Sequence, residues 1–308
     1  MSLLVLDPGV QCTVQAQLRR GYRHSGVPWS GPADPVSMAL ANRLVGGPPY
    51  AACLEIAYGP ALFRADADLQ IAVAGAASSV RVAGVECAQQ ATLSVREGDV
   101  IELGAAKAGA RLYLAVSGQL TAEDFLASCS TYLPAGFGGH EGRALRKGDR
   151  LWIEDITAAP PASTPDALRL PPSASYALRV VKGPDFESGA ETIASSAYRV
   201  SARLSRMGAE IEGAFPTLAN SALRQSSAVF PGALQVTPQG QGFLLLPDCQ
   251  TTGGYPHLLQ VIRADRHLLG QIRPGDSLRF LFRTQTEAED ALRAKQSLLQ
   301  AWMPDFRL

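Results

Sequence analysis

Short apolar runs, several alternating with polar positions, follow one another between Leu69 and Gly118: LQIAVAG, SVRVAG, ATLSV, VIEL and RLYLAVSG. A period of two places alternate side chains on opposite faces of a sheet, and spacing this close leaves no room for crossover helices. The runs predict antiparallel strands, closed as a barrel or stacked as a sandwich, and not a βαβ series. A second set follows from Ala177: ALRVVKGPD, YRVSARLSRMG, GALQVTPQG, GFLLLP, HLLQVI and SLRFLF. Between the sets, TAAPPASTPDALRLPPSAS is dense in Pro, Ala and Ser, the composition of an extended connection. The chain reads as mainly β, with an N-terminal β domain over 1–158, a linker over 159–175 and a C-terminal β domain over 176–308.

Two segments carry helical signals. Asp34 precedes Pro35 and an apolar-faced run that stops at Gly46, which predicts a capped helix. The second helix is expected to start at Thr286, with Glu289 completing a capping box and Ala288, Ala291, Leu292, Leu298, Leu299 and Trp302 forming one apolar stripe that packs on a sheet. Three turns share an X-Gly-Asp pattern before a strand: Glu97-Gly98-Asp99, Lys147-Gly148-Asp149 and Pro274-Gly275-Asp276. Glycine accepts positive φ and the carboxylate bonds nearby backbone amides, so these are read as architecture. DCQTTGGYP (Asp248–Pro256), between GFLLL and HLLQVI, has the position of a connection in a buried hairpin, yet it is richer in polar groups than closure requires.

Composition narrows the function classes. At 308 residues two domains are the default, and 28 basic against 28 acidic residues leave no excess charge to drive nucleic-acid binding. No apolar run approaches a membrane span and no basic region precedes the N-terminal apolar run, which predicts a cytoplasmic protein with neither a membrane nor a nucleic acid as partner. The 5 cysteines are scattered with no C-x-x-C, so neither a disulfide framework nor a zinc site is indicated, and Cys249 is the one thiol inside a suspicious loop. No lysine follows a glycine in a phosphate-binding loop, no G-x-G-x-x-G joins a strand to a helix, and the 4 histidines form no H-E-x-x-H. No metal site is expected.

Longer motifs do identify a family. GYRHSGVPWSGPADPVSMALANRLVGG, LEIAYGP, GFGGHEGRALRKGD, SRMGAEIEG, and then DCQTTGGYP followed by HLLQVI, QIRPGD and SLRF resemble, in order along nearly the whole chain, the carboxyltransferase subdomain A/B family, also called allophanate hydrolase subunit 2. This family includes the C component of 5-oxoprolinase and urea amidolyase-related proteins. The resemblance implies two cyclophilin-like β-barrel subdomains, a B-like partner component together with an A component, and a small-molecule amide substrate. It further implies ATP-dependent opening of 5-oxoproline to glutamate, with ATP bound by or shared with the partner components. In the alternative branch the fold transfers a carboxyl group from carboxybiotin. Biotin is not attached to this chain, which lacks Met-Lys-Met. A third reading is a regulatory protein that sequesters its B-like partner. The chain departs from the family pattern at Ala16 and Leu18, where an acidic residue and a glycine are usual.

Opening a lactam with ATP calls for an electrophilic amide and a group that stabilises developing negative charge. Arg206 and Arg143 are candidate clamps, because a guanidinium binds phosphate or carboxylate bidentately, and salt bridges are the alternative for both. Asp248 is a candidate base, or closes an Asx-type turn. His24 is a candidate acid–base residue, or a structural histidine. Gln250, Thr251, Thr252, Gly253, Gly254 and Tyr255 are candidate ligand contacts, the glycine pair allowing a nest of backbone amides. Gly138 and Gly139 either approach ligand or bend the barrel rim.

Overall fold

A computed structural model describes residues 1–169, 173–187, 190–216 and 225–308. The chain forms two compact units: Met1–Arg19, Ser30–Pro172 and Leu298–Arg307 make one, and Arg20–Trp29, Ser173–Ser297 and Leu308 make the other. The division is therefore not one cut at a linker. Residues 159–169 group with the first unit because their backbone finds partners there: Ala159 N–H donates to Gln70 Oε1, and the Ala162 carbonyl accepts from Thr92 N–H. Residues 170–172 of the expected linker lie outside the described residues. Composition reports extension, but hydrogen-bond partners decide whether an extended segment packs.

In the first unit the strands form two sheets in place of one closed barrel. Seven strands are ordered Gln119–Leu120, Arg150–Glu154, Ser2–Asp7, Ala61–Ala65, Val100–Leu103, Val80–Val82, Val85–Cys87, and five are ordered Gln11–Gln15, Cys53–Ala57, Ala108–Val116, Leu69–Ala77, Leu93–Val95. Their alternating apolar faces meet in a core that includes Leu3, Val5, Val14, Ile56, Phe63, Ile71, Ile101 and Leu112. The helix α1 (Pro35–Leu44) forms as its sequence predicts, the Asp34 carboxylate accepting from Val36 N and Ser37 N. Its start is tied to the sheet by buried Glu55, which accepts from Ala33 N at 2.8 Å and from Tyr113 Oη at 2.7 Å.

The second unit is a closed barrel of seven strands: Ser175–Lys182, His257–Val261, Ala233–Val236, Gly242–Leu245, Gly208–Glu212, Tyr198–Leu204 and Ser277–Phe282. Parallel pairing of Ser175–Lys182 with Ser277–Phe282 closes it around Leu178, Val180, Tyr198, Leu234, Leu259 and Phe280. This order overturns the hairpin expected around DCQTTGGYP. The strands before and after that loop each pair with Ala233–Val236 and not with one another, so the loop crosses that strand. The apolar pattern marks strands but not their neighbours.

All three X-Gly-Asp turns form alike, and each reads Arg-X-Gly-Asp. Asp99, Asp149 and Asp276 accept the backbone N–H of Arg96, Arg146 and Arg273 at 2.9, 2.7 and 2.9 Å. Gly98, Gly148 and Gly275 take φ of 88°, 94° and 91°. In each case the glycine N–H also bonds a neighbouring strand, at Ala65, Val5 and Val200, all at 2.8 Å.

The second helix, α2 (Gln285–Gln300), is capped two residues earlier than expected: Thr284 Oγ1 accepts from Glu287 N, and Glu287 accepts from Thr284 N. Its apolar stripe is not buried as a unit, because only Leu299 within the helix is buried and Leu298 is 47% exposed. The small Ala288 and Ala291 offer little surface to bury. Lys295 Nζ instead donates to Nε2 of fully buried His267, 2.8 Å away. Among the described residues no helix is long and apolar enough to cross a membrane.

Burial, reinforced by Lys295, pushes His267 down from 6.5 to about 3. The unfolded chain therefore binds the proton first as pH falls, so His267 stabilises the fold fully above about pH 6.5 and loses that contribution toward pH 3. Urea unfolding of His267→Gln across this window is expected to show a weaker acid dependence, by up to about 1.4 kcal/mol per pH unit. An unchanged slope would place the acid sensitivity elsewhere.

Candidate functional site

Arg206 and Asp248, read separately as clamp and base, face each other. Nε and Nη2 of Arg206 donate to Oδ2 and Oδ1 of Asp248 at 2.8 and 3.0 Å, with the two side chains 5% and 1% exposed. Backbone bonds run beside the pair, Asp248 N to the Arg206 carbonyl and Leu246 N to the Met207 carbonyl, each 3.0 Å. Arg206 occupies both carboxylate oxygens, so the geometry makes the pair a clamp between the turn Ser205–Gly208 and the loop after Leu246. A buried pair of this kind is costly to break from one side, because the remaining charge stays uncompensated.

The clamp borders a 630 Å³ pocket on the second unit. Ser205 and Met207 line it from one side of the clamp, Gln250 and Tyr255 from the other, with Gln235 from the strand Ala233–Val236 and Thr237 and Gln241 from the turn that follows it. The lining is rich in carboxamides whose orientations are set. Gln235, 1% exposed, donates Nε2 to the Tyr255 carbonyl at 3.0 Å and accepts from Gln250 Nε2 at 3.3 Å. Gln250 Oε1 is left without a partner among the described residues and can accept an N–H. The Ser205 and Thr237 hydroxyls each accept a backbone N–H, from Met207 and Gln241, at 3.1 and 3.2 Å, and keep their own hydrogens to donate. The pocket therefore offers an acceptor and two donors, the complement of an amide.

Of the predicted ligand contacts, Gln250 and Tyr255 line this pocket. Thr252–Gly253 is a short strand paired with Ser227–Ala228, and the Thr251 carbonyl accepts from Val229 N. The expected amide nest does not form, since neither Gly253 nor Gly254 adopts positive φ. Glycine serves a close approach at position 253, where a Cβ would lie 2.7 Å from Gln235 Nε2. Burial pushes the Cys249 thiol up to about 11, so it is a packed hydrophobe and a poor nucleophile.

His24 is exposed on a short 3₁₀ turn, Arg23–Ser25. Its neighbour Arg23, which the motif reading passed over, reaches the loop: Nη2 donates to the Val229 carbonyl and, at 3.1 Å, to the Gln250 carbonyl. The guanidinium lies 5.0 and 5.1 Å from the Trp29 and Phe230 ring centres. Gln235 and Gln241 escape a motif reading because they come from the strand Ala233–Val236 and the turn after it, away from the loop that carries Gln250; the one local signal is the amide-dense TPQGQGF turn.

Arg143, Gly138 and Gly139 belong to the first unit. Arg143 grips Asp149 with two bonds of 2.7 and 3.0 Å and also pairs with Glu141, so its guanidinium is committed. That bond holds Asp149 below the usual carboxylate range and buttresses the second Arg-X-Gly-Asp turn. Gly138 and Gly139, φ 71° each, pack against Ser130 and Thr131, where a Cβ would collide. Ala16 is buried, its N–H bonded to Ser130 Oγ at 2.9 Å.

If the Arg206–Asp248 pair is a structural clamp, Arg206→Ala and Asp248→Ala each cost about 3–5 kcal/mol in urea unfolding, whereas the double apolar variant Arg206→Met/Asp248→Leu costs much less than their sum. Strict additivity would show that the two side chains act independently.

Comparison with known proteins agrees with this architecture. The model of the carboxyltransferase domain, subdomain A and B, matches residues 25–282. The chain is 32% identical to the C component of 5-oxoprolinase from Escherichia coli (strain K12) over 302 residues, which is 96% of this chain and 94% of that protein. It is 32% identical to the urea amidolyase of Lachancea kluyveri over 90% of this chain, but only 17% of that longer protein. The crystal structure of the K. lactis urea amidolyase superposes with a TM-score of 0.91 at 26% identity, covering 98% of this chain and 20% of that one. Shared motifs, barrel and near-complete alignment lead to one assignment: the chain belongs to the carboxyltransferase domain, subdomain A and B, family.

Proposed function

We propose that this chain is the C component of an ATP-dependent 5-oxoprolinase, acting with A- and B-like partner components, and that the pocket beside the Arg206–Asp248 clamp holds the lactam. The reading is carried by the pairing of an open acceptor, Gln250 Oε1, with the donor hydroxyls of Ser205 and Thr237 in one pocket. A lactam presents its N–H and carbonyl on the same edge, so both find partners. Correspondence over 94% of the Escherichia coli C component supports this branch.

The hydroxyls would hold the lactam oxygen as it gains charge, and Gln250 would orient the ring nitrogen. Arg206 and Asp248 act as positioning residues, keeping both walls in register. ATP supplies phosphoryl chemistry when bound, but the pocket lining does not fit its phosphates: among the described residues the single cation there, Arg203, is paired with Glu210. The nucleotide is therefore assigned away from this pocket.

A second reading, carboxyl transfer from carboxybiotin, is favoured by the superposition on the K. lactis urea amidolyase. The ureido ring of biotin carries the same N–H and carbonyl edge, so the pocket suits it chemically as well.

Assays of ADP and glutamate release from 5-oxoproline and ATP, with the partner components present, decide between them. Turnover is expected only when this chain is added, and Gln250→Leu is expected to lower kcat/KM about tenfold or more, the loss of one hydrogen bond to the reacting amide. No glutamate, together with biotin-dependent carboxylation of urea, would replace the first reading by the second.

A further inference from the structure

A second concavity of the second unit is chemically unlike the first. It is a 740 Å³ groove between the 3₁₀ helix Arg263–Gly270, the barrel edge and the start of α2. Arg263, Arg266 and Arg283 line it, with Lys182. On the 3₁₀ helix the only acid, Asp265, turns to Arg179, with bonds of 2.9 and 2.6 Å, and leaves the two flanking arginines to the groove. Among the described residues neither Arg263, Arg266 nor Arg283 has a carboxylate within ion-pair distance. Arg266 is half-buried, and its side chain makes only a long 3.4 Å contact from Nε to the Val261 carbonyl among the described residues.

Two acids also line the groove, held by neighbouring groups on α2, and Glu287 feels the charge of Arg283 without forming an ion pair with it. Glu287 is bound by the N–H and hydroxyl of Thr284 at 2.7 and 2.9 Å, and Glu289 accepts from Gln285 Nε2 at 3.1 Å. Lys182 stands 3.6 Å from the exposed Glu191. Phe282, Ala288, Leu292 and Ile262 supply the apolar part of the lining.

We propose that this groove binds a phosphate-bearing small molecule, with Arg263, Arg266 and Arg283 holding the phosphate oxygens and the apolar part of the lining receiving the remainder. A guanidinium removed from water without a carboxylate is costly, and a phosphate returns two parallel charge-assisted bonds to each fork. Burial and the adjacent Arg263 pull Arg266 down to about 10, the direction expected where positive charge lacks compensation. The volume suits a ligand of nucleotide size. This groove is independent of the amide pocket, and either assignment stands if the other fails.

The test is calorimetric titration of the full chain with tripolyphosphate at low ionic strength, with ATP, citrate and hexaglutamate as comparison probes. Saturable 1:1 binding of tripolyphosphate is expected, with ATP at least as tight. Arg266→Gln and the exposed-site variant Arg263→Gln should each weaken it about tenfold. Arg96→Gln, in a turn of the first unit, should leave it unchanged. Absence of saturable binding, equal weakening in Arg96→Gln, or preference for citrate or hexaglutamate over tripolyphosphate overturns the proposal. Arg263 is solvent-exposed, so its variant decides the outcome even if Arg266→Gln fails to fold.

Discussion

The buried ion pair of Arg206 with Asp248 is the constraint on which the candidate site depends. Both side chains have left water, and each satisfies the other through two short bonds. Such a pair contributes little net stability compared with apolar packing, but it tolerates only one geometry. That geometry fixes the turn Ser205–Gly208 against the loop after Leu246, and so sets the separation of the pocket walls carrying Ser205 and Gln250. Arg23 completes the arrangement through its side chain, holding the Gln250 carbonyl while its guanidinium lies beside the Trp29–Phe230 ring pair.

The same economy of polar groups runs through the rest of the chain. Three Arg-X-Gly-Asp turns repeat one solution: glycine takes the left-handed conformation, its N–H bonds an adjacent strand, and the aspartate caps the turn. Arg143 belongs to this system through Asp149. Residues that a motif reading nominates for chemistry are thus divided by their partners. Arg206, Asp248 and Arg143 have their polar atoms consumed in pairs and hold the backbone, whereas Gln250 keeps an open acceptor.

The second unit displays two such surfaces of opposite character. One is neutral and lined by carboxamides and hydroxyls, which match the hydrogen-bond pattern of an amide. The other is cationic with an apolar part, which matches phosphate joined to a less polar body. Their separation follows from where the acids go: Glu210 neutralises Arg203 at the first, while Asp265 is turned away to Arg179 at the second.

Much of the architecture is legible in the sequence because it is local. Strand runs, the Asp34 cap, the Arg-X-Gly-Asp turns and the mainly β class follow from periodicity and backbone preferences within a few residues, and the long motifs identify the family. The start of α2 falls two residues before its expected place because Thr284–Glu287 and Thr286–Glu289 satisfy the same spacing, and only hydrogen bonds distinguish them. What the tertiary structure alone decided is non-local. Ala233–Val236 separates two strands that are neighbours along the chain, Arg206 meets Asp248 across 42 positions, and glutamines 235, 241 and 250 gather at one pocket from different segments. Barrel closure determines those neighbours, and no short window of sequence contains the energy of pairing that selects them.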